Sequence, residues 1–205
     1  MIKNIVFDMG GVLISFDAQR YTARFVPDPA DYELIRRELF RSVEWIRMDR
    51  GSITDEQAVS SVCRRLPERL HRSVRDILDN WHRDIPPLDG VYALVEELKG
   101  KGYGIYLLSN TCSRFHSFRE NIPALRFFDG EFISADCHLV KPEPGIYLRF
   151  LEQFRLRPEE CVFIDDVPLN IEAAIRCGFS GIVYHNDPAR LRRELRELGV
   201  EADNL

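Results

Sequence analysis

Four short stretches of this 205-residue chain carry residue types that can do chemistry. The first is Asp8, which ends the apolar run Ile5-Val6-Phe7 and precedes the glycine pair Gly10-Gly11. Such a run reads as a buried parallel strand, and a carboxylate at its carboxyl end sits where open α/β sheets bind ligands. The glycines make a tight loop that leaves room for a ligand to approach the backbone. The second stretch is Asp165-Asp166, at the end of Val162-Phe163-Ile164. The third is Ser109-Asn110-Thr111 after Leu107-Leu108, and the fourth is Lys141, between Leu139-Val140 and Pro142-Glu143. If the strands that end at Asp8 and at Asp165 are neighbours, three carboxylates share one small site. That crowding is costly unless a cation neutralises it. Taken singly, each stretch has a plainer reading: a structural turn, a helix-capping Asp pair, a Ser-Asn-Thr N-cap, a surface lysine before proline.

These residues need strands to carry them. Further strands are expected over Tyr103–Leu108, Gly130–Ser134, Cys161–Ile164 and Gly181–Tyr184. Amphipathic helices alternate with them, on Val91, Leu94, Val95 and Leu98, over Pro144–Phe154 and over Asn170–Cys177. Phe115 and Phe118 suggest another helix after Ser109-Asn110-Thr111. A last helix has Asp187 as its N-cap, Pro188 in its first turn and Gly199 at its end. Strands alternating with helices predict an α/β fold, a Rossmann-like, doubly wound parallel sheet.

Between Phe16 and Pro87 the strand-like runs vanish. Tyr32, Ile35, Leu39 and Phe40 recur at helical spacing, Thr54 opens a capping box with Gln57, and Val74, Ile77, Leu78 and Trp81 mark a further helix. Thirteen arginines balance thirteen acidic residues in this stretch, so most of its charge forms a solvated face. It is large enough for a small helical bundle. The expected organisation is a core of residues 1–15 and 88–205, with residues 16–87 as an insert over the strand ends. An insert that serves stability alone is the competing reading. Within it, Trp45 could stack on a substrate, and Arg47 or Asp49 could reach a hydroxyl or a phosphate. Equally, they could be core and surface residues of a helix end.

Composition bounds the function. A net charge of −5 argues against a nucleic-acid surface, and no long uncharged apolar segment predicts a membrane span. The first strand begins at once, so no signal peptide is expected. The cysteines Cys63, Cys112, Cys137, Cys161 and Cys177 form no C-x-x-C pair and read as reduced thiols of a cytoplasmic protein. The histidines show no metal-ligand spacing; of them, His116 lies nearest a motif in sequence.

In order and character the four stretches resemble the four motifs of the haloacid dehalogenase-like hydrolases, over nearly the whole chain. Within that superfamily the chain is similar to small-capped phosphatases, among them bacterial sugar-1-phosphate phosphatases and the amino-terminal phosphatase domain of epoxide hydrolases. The resemblance implies that Asp8 is a nucleophile that forms an aspartyl-phosphate, and that the insert is a cap that selects the substrate. It implies Mg2+, a hard cation suited to oxygen ligands and phosphate, bound by Asp8, Asp166 and the Gly10 carbonyl. Asp165 would act through water or a hydrogen bond. Ser109 would bond a phosphate oxygen, helped by backbone N–H groups at the start of a following helix. Asn110 would contact phosphate or a substrate hydroxyl, and Lys141 would neutralise the nucleophile and the transferring group. The implied substrate is a small phosphorylated metabolite, such as an anomeric sugar-1-phosphate.

One position departs from the pattern. Phosphatases of this superfamily usually carry a second aspartate two residues after the nucleophile, which protonates the leaving group and activates water. Here that residue is Gly10. General acid–base help is worth about 10²–10⁴ in rate. The departure leaves three outcomes open: esters with good leaving groups, with help from a water or a cap residue; slow, broad activity; or a binding or regulatory protein without catalysis. Metal-independent 2-haloacid dehalogenases also lack the second aspartate and compete as a reading. They have no need of Asp165-Asp166 in metal-binding form.

Overall fold

A computed structural model of the chain describes residues 1–83 and 85–203. Five parallel strands form one sheet: β1 (Asn4–Phe7), β2 (Gly104–Ser109), β3 (Gly130–Ile133), β4 (Cys161–Asp165) and β5 (Ser180–Val183). Their order is β3-β2-β1-β4-β5. All lie within two residues of the expected positions. In the register, Phe7 stands opposite Leu107 on one side and Ile164 on the other. The chain therefore leaves β1, β2 and β4 at one sheet edge, side by side. The Asp8 N–H donates to the Ile164 carbonyl at 2.9 Å, which carries the pairing one residue beyond β1.

The insert between β1 and β2 holds five α-helices: α1 (Ala18–Ala23), α2 (Pro29–Ile35), α3 (Val43–Asp49), α4 (Asp55–Cys63) and α5 (His71–Asn80). They bury their own cluster around Ile35, Leu39, Ala58, Val62, Val74 and Ile77. The Thr54–Gln57 capping box is present at the start of α4. The periodic run from Tyr32 to Phe40 is not one α-helix. α2 ends at Ile35 and a wider turn covers Arg36–Phe40, closed by the Arg41 N–H on the Arg36 carbonyl. That turn keeps Ile35 and Leu39 in the cluster and brings Phe40 against Trp45. Both ends of the insert run together. Ser15 N–H donates to the Pro86 carbonyl and Leu88 N–H to the Leu13 carbonyl, so the two connections are tied.

Beyond the insert come α6 (Val91–Gly100), α7 (Phe115–Phe118), α8 (Ser134–Cys137), α9 (Pro144–Phe154), α10 (Pro168–Arg176) and α11 (Pro188–Glu197). Alternation along the strands sends Ile5, Phe7, Leu107 and Ile164 to one face, with Leu94 and Leu98 of α6 and Leu195 of α11. Val6, Leu108 and Phe163 go to the other, with Phe150 of α9 and Ala174 of α10. Helices on both faces of a parallel sheet make the α/β, Rossmann-like, doubly wound core that the alternation predicts. Buried on both sides, its strands have to be apolar throughout, which is why they stand out as runs. Among the described residues no helix is long and apolar enough to cross a membrane, and all five cysteines are free thiols.

Candidate active site

The sheet edge brings Asp8, Lys141, Asp165 and Asp166 together. Lys141 is buried, and its ammonium donates to Asp165 Oδ2 at 2.7 Å and to the Leu108 carbonyl at 3.0 Å. It also lies 2.8 Å from Asp8 Oδ1, as an ion pair without hydrogen-bond alignment. Burial works against the ammonium, yet the charges of Asp8 and Asp165 hold it above the ordinary lysine range. Burial pushes the Asp8 carboxyl up to about 7; Lys141 pulls it down and Asp165 adds to the rise.

Asp165 has little left for a cation. Its Oδ1 accepts from the Val167 N–H at 2.8 Å and from Asn170 Nδ2 at 3.1 Å, and its Oδ2 accepts from Lys141 and again from Asn170 at 3.0 Å. Four contacts fill the acceptor sites of a carboxylate. These bonds tie Asp165 to Lys141, Val167 and Asn170.

A hard divalent cation fits the remaining donors. One oxygen each of Asp8, Asp165 and Asp166 lies within 4.8 Å of the others. Asp8 Oδ1 is buried 2.8 Å from the Lys141 ammonium, and among the described residues no backbone N–H uses the Gly10 carbonyl. Gly11, at φ +76°, completes the cradle: a Cβ there would lie 2.3 Å from Asp166 Oδ2. Oxygen donors alone suit Mg2+ rather than a softer metal.

Ser109 is buried at the end of β2 and lines the same cavity of about 290 Å3. The helix marked by Phe115 and Phe118 is present as the one-turn α7, which begins at Phe115 rather than directly after Ser109, and the Thr111 N–H is taken by Ser134 Oγ at 2.9 Å. The helix start nearest Ser109 in the sheet is that of α8, since Ser109 stands opposite Ile133 in the register. Asn110 also differs from expectation. Its Nδ2 donates to the Lys141 carbonyl at 3.0 Å and its Oδ1 accepts from the Lys141 N–H at 2.8 Å. Its side chain borders the cavity, but what it does in this structure is fix the lysine.

The opposite wall of the cavity comes from the insert. Phe16, Trp45 and Trp81 pack mutually with ring centroids 5.7–6.0 Å apart. Asp49, the last residue of α3, adds a carboxyl that bonds to Trp45; burial and the negative charge of Asp8 push it up to about 7. Arg47 does not line the cavity. The next residue, Arg50, forms a bidentate pair with Glu143, two residues after Lys141. Neither Arg50 nor Glu143 carried a sequence signal for this, because the pair joins two segments far apart in the chain. Gly10 leaves room where an acid usually stands: a Cβ there would meet only Phe16 Cβ, at 3.7 Å. His116 is exposed and pairs with Asp136 at 3.1 Å, away from the cavity. Burial pushes the Cys112 thiol up to about 12, which leaves it unreactive.

Comparison with known proteins identifies the family and the fold. A family model described as haloacid dehalogenase-like hydrolase matches residues 2–178. The chain is 28% identical over 200 residues to the sesquiterpene phosphatase astK of Aspergillus oryzae, covering 96% of each. It is 24% identical over 214 residues to (S)-2-haloacid dehalogenase 2 of a Pseudomonas species, covering 100% of this chain and 91% of that one. Among solved structures, a HAD family enzyme of Bacteroides thetaiotaomicron, in its magnesium complex, superimposes with a TM-score of 0.72. It is 25% identical, over 94% of this chain and 98% of that one.

Proposed function

The chain belongs to the haloacid dehalogenase-like hydrolase family, and from that premise we propose that it is a Mg2+-dependent phosphatase of small phosphorylated metabolites with Asp8 as nucleophile. The observation that carries this reading is Asp8 Oδ1. It is a buried carboxylate oxygen 2.8 Å from the Lys141 ammonium and clustered with Asp166. A group held so, facing a cavity, is equipped to meet a phosphoryl group and a cation together.

In this reading Asp8 attacks phosphorus and forms an aspartyl-phosphate as the bond to the leaving oxygen breaks. Lys141 offsets the negative charge of both partners, and Asp165 and Asn110 hold Lys141 in place. The Ser109 hydroxyl bonds a phosphoryl oxygen. Water then cleaves the aspartyl-phosphate, releasing phosphate and restoring Asp8. Asp8, Asp166 and the Gly10 carbonyl would hold Mg2+, which would supply positive charge to offset that of the phosphoryl group. Residues 16–87 act as a cap over the core of residues 1–15 and 88–205. Their aromatic wall offers a face for a sugar ring or an apolar group, in a cavity suited to a small substrate.

A 2-haloacid dehalogenase would use the same nucleophile without metal. The acidic cluster favours the phosphatase. Asp166 has no task in metal-free halide displacement, yet Gly11 keeps its space clear. The test is phosphate release from a panel of phosphomonoesters by wild type and Asp8→Asn, with Mg2+ or with EDTA. Loss on both changes is expected. Activity that survives both contradicts the mechanism, and halide release in EDTA identifies the dehalogenase.

A further inference from the structure

We propose that Asp49, from the insert, is the general acid and base of this active site, in place of the carboxyl missing at Gly10. This deepens the phosphatase reading and rests on it. Among the described residues, four titratable side chains line the cavity: Asp8, Asp49, Lys141 and Asp166. Asp8 is the nucleophile, Lys141 is engaged by three oxygens, and Asp166 belongs with the cation. Asp49 alone has no other task. It comes from the insert, not from the sheet edge, so it approaches the substrate from the cap side.

Its location is poor for stability. Asp49 is the final residue of α3, at the negative end of the helix dipole, where an anion is disfavoured. Burial and the charge of Asp8 disfavour its anion further. Both effects disfavour the anion at this carboxyl, the direction a general acid requires.

Its position relative to the core is also fixed. Ser134 Oγ donates to the Asp49 carbonyl. Arg50 is clamped to Glu143 and donates to the His138 carbonyl at 3.2 Å, and His138 Nδ1 lies 3.1 Å from the Arg50 carbonyl. Gly51, at φ +67°, packs so closely that a Cβ would lie 2.5 Å from the Ala135 carbonyl oxygen. These ties fasten the end of α3 to the segment that carries Lys141.

The proton balance closes over the two steps. As Asp8 bonds to phosphorus, the leaving oxygen takes the Asp49 proton and departs as the alcohol. The Asp49 carboxylate then takes a proton from water as that water attacks the aspartyl-phosphate. Phosphate leaves, and both aspartates return to their starting state.

The experiment compares Asp49→Asn with wild type, in Mg2+, on p-nitrophenyl phosphate and a simple alkyl phosphate. The readout is kcat/KM, which reports the step in which the leaving group departs. The alkyl ester needs a proton and the nitrophenyl ester hardly does. Asp49→Asn is expected to lower kcat/KM about 10²-fold or more on the alkyl ester and less than about tenfold on the nitrophenyl ester. It should also give a burst of nitrophenol as the aspartyl-phosphate accumulates. Equal loss on both substrates, or alkyl hydrolysis within about twofold of wild type, overturns the assignment. Asp8→Asn in parallel separates the two claims. If it retains activity, the nucleophile is wrong, whatever Asp49 does.

Discussion

The sheet edge and the insert meet across one cavity, and they treat charge in opposite ways. At the sheet edge the charges are buried and answer one another: Lys141 reaches Asp8, Asp165 and the Leu108 carbonyl, and Asp165 is filled by Asn170 and a backbone N–H. On the insert side the wall, among the described residues, is aromatic with one carboxyl, Asp49. The insert has a dense ion network of its own, Glu44 with Arg65 and Ser61 and Glu38 with Arg65, but it does not line the cavity. The contrast separates two jobs. The edge is built to hold a phosphoryl group at fixed charge, and the wall to receive whatever leaves from it.

The largest stability effect should come from the sheet edge. Lys141→Met leaves two buried carboxylates without their cation and is expected to cost about 3–5 kcal/mol in urea unfolding. A loss below about 1 kcal/mol would mean that the edge charges are not coupled as described. The insert should show a smaller, pH-tuned effect. Glu44 is buried, and the Arg65 hydrogen bonds, with that of Ser61, hold its carboxyl down at about 2. A depressed folded value stabilises the protein above the ordinary glutamate range and is lost as protons fill the site. Glu44→Gln is therefore expected to cost about 2 kcal/mol at pH 7, with the gap to wild type closing as pH falls from about 4.5 toward 2. A gap independent of pH contradicts the assignment. The smallest effect concerns the boundary between the two regions. Gly10→Asp has room at Cβ, but if Asp49 already handles the proton, phosphatase kcat should rise less than about tenfold. A gain of about 10² or more would place the missing proton donor at Gly10 after all.

How much of this was legible in the sequence follows the same divide. The strands of the core are buried on both faces, so β1 and β4 appear as apolar runs, and each ends in the carboxylate that the sheet then presents. Asp8 and Asp165-Asp166 needed only the adjacency of β1 and β4 to become a cluster. Local spacing served less well where tertiary contacts decide. Ser109-Asn110-Thr111 has N-cap character, but Asn110 turns to the Lys141 backbone and Thr111 to Ser134, so no helix starts there. Asp49 offered no local signal to separate it from any other helix-end aspartate. Its significance comes from burial, from Asp8 across the chain, and from the Arg50–Glu143 tie between distant segments.

The most direct measurement is the covalent state of the protein during turnover. Wild type, mixed with a phosphomonoester and Mg2+ and quenched in acid, should carry one phosphoryl group on the peptide that contains Asp8, and Asp8→Asn should carry none. Turnover in which Asp8 stays unmodified and another residue bears the phosphoryl group would contradict the account.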